Sequence, residues 1–545
     1  MKRIVTLVFG VAVTVAAAAQ SWQDARFFTE NNYLGTARTL GMGNAVTAIG
    51  GDPGTLNINP AGSAVAGYSQ FVASPVFSIS STSAVGVIAP GNTSAVGLGN
   101  RETSVYGRAS IPSLGAIFTL DTNRRSGWKR TSFGFVLNSS GNYTGRIGAS
   151  GINEDNSYAA SLATSAEGYT ESELGSSRWD VPGPYWEDMV GYRSGMINGI
   201  PGQPTRYQAV TEVRDAAGNC WLAAPLYQKY GQQTTGSKSD IVFNFAADYE
   251  DRLYLGVNIG FIALNYGMTE YFMEAPENAS DFPEIIYTDG SKGRFSSLEM
   301  RHSYSLRGTG VYAKAGVLWR PVAGLRLGAA FQTPALMNLT ARQAYSGETK
   351  LTGKTLTPST TPEDSWSFTM TQPFRMNLGV AYSFGNVAVL SLDYEMSNYA
   401  SIRYSRREDV GTTPDYLTRA NTDINKALGL AHQIRAGVEV KPTPAFAIRA
   451  GYSLVTYGQK NWLDDDWKQT PLTFAEKASL FKHCASLGAG YSFGRFFLDV
   501  AARMRIQPKE YLMPYQYYIS EYVLTPEIEF KPLLTDVVLT LGWRF

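Results

Sequence analysis

The chain ends Asp536-Val537-Val538-Leu539-Thr540-Leu541-Gly542-Trp543-Arg544-Phe545. Val537, Leu539, Leu541, Trp543 and Phe545 share one parity, and Asp536, Val538, Thr540, Gly542 and Arg544 share the other. Side chains alternate across a strand, so this is a strand with one apolar side and one small or polar side. A strand of this kind ending on an aromatic suits a cylinder in a bilayer, where the last strand pairs with the first and no edge is left open. Trp543 and Phe545 are accordingly expected to form the C-terminal assembly signal read by the barrel-assembly machinery. A terminal strand of a soluble β-sandwich is the competing reading of this stretch alone.

Working back from the end, the same alternation marks thirteen more strands. They fall at 68–79, 110–120, 129–138, 241–249, 253–261, 311–319, 325–331, 376–384, 387–404, 434–440, 446–452, 487–493 and 496–504. The predicted fold is all-β, a transmembrane antiparallel barrel of about fourteen strands, an even number as such barrels require. The connections alternate in length. Short ones lie at 121–128, 250–252, 320–324, 384–386, 441–444 and 493–495, and long ones centre near Asn92, Ser194, Asp281, Lys354, Pro414, Asp465 and Tyr517. Tight turns on one side and long loops on the other are the pattern of an outer-membrane barrel, and a sandwich has no reason for it.

Charges follow the inward parity. Arg326, Arg375, Asp393, Arg435, Glu439, Arg449, Asp499, Arg503 and Arg505 oppose the apolar residues of their strands. On the lipid side each would cost about 2–4 kcal/mol near the midplane, so they are expected to face the lumen. There they either pair with one another and with a plug, or line a substrate path.

Composition agrees. Of 545 residues 54 are Gly, 32 Tyr and 26 Phe, 17% are charged, and net charge is +1, which leaves no footprint for nucleic acid. No run after the leader approaches the ~18 apolar residues of a spanning helix. Lys2 and Arg3, the apolar 4–15 run and Ala17-Ala18-Ala19 predict a cleaved signal peptide over 1–19, hence export to the outer membrane of a two-membrane bacterium. Residues 20–66 are small-residue rich, with Asp52-Pro53 as helix cap and first position and Pro60 as a stop. They are either a flexible arm or a plug folded inside the barrel. The barrel then occupies 67–545, with its largest loop at about 145–237.

Stretch 36–64, with its glycine-rich run and Asn59-Pro60-Ala61-Gly62, resembles the N-terminal hatch of the FadL/TodX family of outer-membrane transporters for long-chain fatty acids and aromatic hydrocarbons. Gln332-Thr333-Pro334-Ala335 looks like that family's short Thr-Pro motif, and Phe384-Gly385-Asn386 leading to Asp393-Tyr394-Glu395 looks like the turn of Bacteroidetes-type members. The resemblance implies a fourteen-stranded barrel with a hatch, and passive uptake of a hydrophobic molecule such as a long-chain fatty acid. Loops would capture the ligand, a pocket beside the hatch would hold it, and a kink in the third strand would release it through the wall. On this chain Asn59, Pro60, Ala61 and Gly62 would be the hatch motif, and Gly134, Asn138 and Gly141 the candidates for the kink. The charges Arg375, Arg435, Glu439, Asp499, Arg503 and Arg505 would line the lumen. The long 145–237 region departs from simpler members. Aromatic residues at 179–192 and 221–230 would form a capture groove there or simply pack the loop. A barrel of the same fold serving as a secretion shuttle or surface-assembly component is the alternative.

No enzyme signature is present, and no cofactor or metal site is expected. Gly353-Lys354-Thr355 lacks the spacing of a phosphate loop, and His302, His432 and His483 fall at strand ends near the rim. Cys220 and Cys484 have no metal-ligand spacing, and sequence leaves their pairing open. Expected partners are a hydrophobic small molecule, outer-membrane lipid or lipopolysaccharide, and the assembly machinery, with the chain itself a monomer.

Overall fold

The computed structural model describes residues 21–545 apart from 88–96, 287–289, 407–414, 464–468, 516, 520–521 and 525. The signal peptide and the loop centres at Asn92, Pro414 and Asp465 lie outside the described residues.

The wall is a closed antiparallel barrel of fourteen strands. In chain order they are β1 (Gln70–Val87), β2 (Glu102–Asp121), β3 (Trp128–Asn142, extended by Gly145–Asn153), β4 (Leu226–Tyr249), β5 (Leu253–Pro276), β6 (Lys292–Trp319) and β7 (Leu325–Gln332, extended by Ala335–Thr352). Then come β8 (Asp364–Gln372 with Arg375–Phe384), β9 (Ala388–Asn398), β10 (Leu430–Val440), β11 (Phe446–Val455), β12 (Lys482–Phe493), β13 (Phe496–Ile506) and β14 (Glu527–Arg544). Closure is made by β1 on β14, with Phe71 opposite Trp543 and Val87 opposite Glu527. Phe545 adds a backbone N–H to Ser69 O at 2.9 Å.

The inferred parities hold. On β14 the residues Val537, Leu539, Leu541 and Trp543 point outward and are exposed, while Asp536, Val538 and Thr540 are buried inward. Every strand from β3 to β14 contributes to the same exposed apolar belt, for example Phe243, Val257, Val311, Leu378, Ile434 and Leu498. So large a continuous apolar surface is tolerated against lipid and not against water. Among the described residues no helix is long and apolar enough to cross a membrane.

Several boundaries differ from the expectation. β6 begins at Lys292, nineteen residues before the predicted start. β7 does not end before Gln332-Thr333-Pro334-Ala335 but runs on past Pro334 to Thr352. β9 stops at Asn398, and a tight turn at Tyr399–Ser401 leads to a separate short strand, Arg403–Arg406. The 145–237 region is not irregular. It contains the β3 extension, helices α3 (Tyr158–Ser165), α4 (Glu171–Leu174) and α5 (Trp186–Arg193), two hairpins, and the start of β4. These form a cap with its own core, in which Tyr158, Leu162, Met189, Val190, Phe272 and Phe295 are buried. Trp179, Trp186 and Tyr192 pack on that core, while Trp221 and Tyr185 remain exposed. The two cysteines are free.

Residues 21–66 lie inside the cylinder. Helix α1 (Trp22–Thr29) sits at the loop end and was not anticipated from the sequence. Helix α2 (Ala37–Gly41) packs on β12 and β13. Asp52 does cap a short turn at Pro53–Thr55, accepting from Gly54 N at 2.7 Å. Pro60 opens a second turn, Pro60–Val65, where the sequence suggested only a stop.

Candidate functional site

The wall glycines explain how backbone fits inside backbone. A Cβ on Gly316 would stand 2.1 Å from Asn59 Oδ1, and one on Gly256 2.4 Å from the Pro60 carbonyl carbon. Only a residue without a side chain permits that approach. Asn59 itself ties segment to wall. Its Nδ2 donates to Thr47 O at 2.8 Å and Val317 O at 3.1 Å, while its Oδ1 accepts from Ala61 N at 3.1 Å. Ala61 is buried against β4 and β5 residues, and Gly62 packs on Gly50 and Thr55 within the segment.

The six expected lumen charges all point inward and are ion-paired. Glu395 holds Arg375 at 3.1 Å and Arg435 in closer contact. Glu439 takes Arg449 at 2.6 Å and Arg38 of the N-terminal segment at 3.1 Å, and Arg449 also reaches Asp499 at 2.6 Å. Asp536 joins Arg503 at 2.8 Å and Arg505 at 3.5 Å. Buried charges need such partners. Asp393 instead binds the segment directly, accepting from Thr47 N at 2.7 Å and Thr47 Oγ1 at 2.6 Å.

The third strand is broken where two of the three kink candidates stand. The β2–β3 ladder runs from Asp121↔Arg130 to Ser113↔Asn138 and ends there. Against β4 the register slips between Ser139 and Gly141, so Ser140 is an extra residue, a bulge. Gly134 lies inside the ladder, where its missing side chain makes room for Leu56. The carbonyls freed at the break are taken by the N-terminal segment. Asn32 N donates to Ser140 O at 2.7 Å, Leu34 N to Ser139 O at 3.0 Å, and Gly35 N to Asn138 Oδ1 at 2.9 Å. Beyond the break β2 stays on β1, and side chains reach across, among them Arg108 to Thr144 at 3.2 Å and Ser150 to Glu102 at 2.6 Å, until one backbone bridge, Asn100 N to Ser150 O at 2.8 Å, rejoins the two at the loop end.

A chamber of about 640 Å³ lies beside α1 and reaches this break. Trp22, Phe27, Tyr143, Tyr266, Tyr457 and Leu480 supply apolar walls, and residues 141–147 of β3 form one side. Phe27 and Phe28 pack with Tyr143 and Tyr266 at ring separations of 5.0–6.0 Å. Arg26 stacks on Tyr457 with its guanidinium carbon 3.4 Å from the ring centre, and Lys482 reaches Glu30 at 2.6 Å. The carbonyls at the end of α1 are clamped. Lys238 Nζ donates to Phe28 O, Thr29 O and Glu30 O at 2.9, 3.3 and 2.8 Å, and Gln372 Nε2 to Phe28 O at 3.1 Å. Helix ends leave such carbonyls without partners, so a buried lysine there satisfies them. The aromatic cluster and the Lys238 clamp were missed in the sequence, since neither shows in the spacing of one strand. The histidines sit at the rim as expected. His302 Nδ1 bonds Glu270 at 2.9 Å, and His432 and His483 each pair with a tyrosine hydroxyl at 2.7 Å. Among the described residues no group of His, Cys, Asp and Glu could hold a metal ion.

A closed barrel with an apolar belt, and with its lumen occupied by its own N-terminal segment, defines an outer-membrane β-barrel protein. One solved structure shares the fold. The structure resembles that of a FadL homologue from Pseudomonas aeruginosa at a TM-score of 0.51, with 12% sequence identity over 95% of this chain and 99% of that chain. The Pseudomonas putida toluene transporter TodX follows at 0.47, with 13% identity over 95% of this chain and 99% of that one. The Ralstonia pickettii toluene transporter TbuX follows at 0.43, with 11% identity over 95% and 100%. No family model and no curated protein matches the sequence.

Proposed function

We propose that this protein takes up hydrophobic small molecules, such as long-chain fatty acids, passively through the outer membrane. The observation that carries the reading is the chamber beside α1, whose wall is the broken part of β3. A greasy ligand gains nothing from a wet pore, since its favoured destination is the bilayer. The path therefore runs from the capped mouth to the chamber and then sideways between β2 and β3. Residues 21–66 act as the hatch, with Asn59-Pro60-Ala61-Gly62 anchoring it to β5 and β6. Cleavage of the leader after residue 19 and reading of Trp543 and Phe545 by the assembly machinery complete the picture of export. The fold match to a FadL homologue supports this reading. A secretion shuttle would use the same barrel, but nothing in that role calls for a break in the wall.

The test is deletion of Ser140, which removes the bulge and lets the ladder continue. Cells carrying the deletion should take up labelled oleate at least ten-fold more slowly than wild type, with equal folded protein in the membrane. Unchanged uptake would sink the lateral route, and no oleate or toluene uptake by wild type would sink the transport reading itself.

A further inference from the structure

We propose that the outer wall of β3–β7, above the apolar belt, binds the phosphorylated saccharide headgroup of the outer-leaflet glycolipid that surrounds the barrel. This rests on the membrane orientation of the barrel and not on what the chamber carries.

The barrel is lopsided. β6 has 28 residues where β10 has 11. The apolar belt is no taller on the long side. Its last outward row there is Ile241, Phe261, Val311 and Leu336, joined through the ladders of β4 to β7. Higher rows on the same outward face change chemistry. Four residues up they read Ser237, Asn265, Arg307 and Thr340, and two more bring Thr235, Gly267, Ser305 and Arg342. The second of these rows lies ~20 Å along the strand from the belt, at ~3.4 Å per residue. With barrel strands tilted by ~40°, this is ~15 Å above the belt, in the headgroup layer of a lipid whose chains cover the belt.

A groove of about 680 Å³ opens at this level, running from the splayed edge of β2 across β3 to β7. Its floor is hydroxyl and amide, with Gln233, Thr269 and Ser303 in one row beside Arg146. Gly231 leaves room for the Tyr271 ring to lie flat on the sheet, since a Cβ there would come within 2.4 Å of it. Hydroxyl and amide rows with a flat aromatic face suit a sugar, and not an acyl chain.

The charge argues for phosphate. Arg342 is paired with Glu363 at 2.9 Å, and Arg301 with Glu299. Arg146, Lys229 and Arg307 have no ion pair among the described residues, and Arg146 bonds only the neutral Gln233, at 2.8 Å. Three unneutralised cations on one outward wall complement a polyanionic headgroup. A lipid-anchored ligand is held at this height by its own chains, so its effective concentration at the groove is high.

The probe is rough lipopolysaccharide carrying a phosphorylated inner core, presented in detergent to the purified full chain. It should bind at least ten-fold more tightly than the same material after phosphate removal, and more tightly than lipid A alone. The triple variant Arg146→Glu, Lys229→Glu, Arg307→Glu should lose at least ten-fold, while Arg214→Glu, a charge reversal on the cap hairpin, should change nothing. A heat-shifted gel band verifies that both variants are folded. Equal binding by the triple variant overturns the proposal. So does equal binding of lipid A alone, or equally tight binding of the free core saccharide, which would remove the lipid as the source. Oleate uptake by the double variant Lys229→Glu, Arg307→Glu, which keeps the chamber-wall residue Arg146, stays at the wild-type rate on this proposal, so failure of either reading is distinguishable.

Discussion

Glu395 holds two arginines at once, Arg375 and Arg435, and accepts from Asn377 Nδ2 at 2.9 Å as well. Removing one partner of a buried ion pair leaves the other charge stranded, at a cost of about 3–5 kcal/mol. Glu395→Ala should therefore lower the temperature at which the barrel unfolds, read from the loss of the compact gel band. At the same scale, Asp188 on α5 carries a pH dependence. Burial, with Glu187 beside it, lifts its carboxyl to about 8 against one hydrogen bond from Ser165 Oγ at 2.8 Å. A carboxyl raised when folded contributes stability that is full below its unfolded value of about 3.9 and is lost as pH climbs towards 8. The cap should thus loosen between pH 4 and 8, and Asp188→Asn should flatten that slope in hydrogen exchange over residues 158–193. Parity alone placed Arg375, Arg435, Glu439, Asp499, Arg503 and Arg505 inside. Their partners were not legible, because Arg38 and Glu439 are 401 residues apart in the chain.

Strands were read well where lipid touches them and poorly above. The predicted 311–319 is only the lower third of β6, whose outward residues from Ser303 to Thr309 are polar. Alternation marks a strand only when one face is apolar, and above the bilayer both faces meet water or a polar cap. The break in β3 was partly legible. Asn138 and Gly141 do flank it, whereas Gly134 serves close packing. What the spacing does not carry is the use of the freed carbonyls by residues 32–35. Helix α1 depends on a similar contact from outside itself. Lys238→Met would remove a donor from three carbonyls, leaving Phe28 O to Gln372 and Thr29 O to Arg375, with Glu30 O unsatisfied. Amides of residues 22–34 should then exchange at least ten-fold faster, with the strand ladders unchanged.

The whole molecule is a cylinder whose inner wall and N-terminal segment complete one another. Arg38 meets Glu439, Thr47 meets Asp393, and Lys314 donates to Asn57 O at 2.7 Å. A chain lacking residues 21–66 keeps its lipid belt but exposes these wall groups to water. It should form open channels in planar bilayers, whereas the complete chain should conduct at most a small fraction of that current. A barrel of equal conductance with and without the segment would mean that the segment does not block the lumen.

By itself the sequence determined the barrel, its fourteen strands, the side each tight turn occupies and the inward parity of the charges. All of these follow from one local rule: a strand between lipid and lumen must alternate. Tertiary structure decided the rest. The course of α1 and residues 30–35, the chamber beside them, the pairing of each lumen charge and the tall polar wall above the belt depend on contacts between distant parts of the chain. Such contacts leave no period in the sequence, because their geometry exists only once the cylinder has closed.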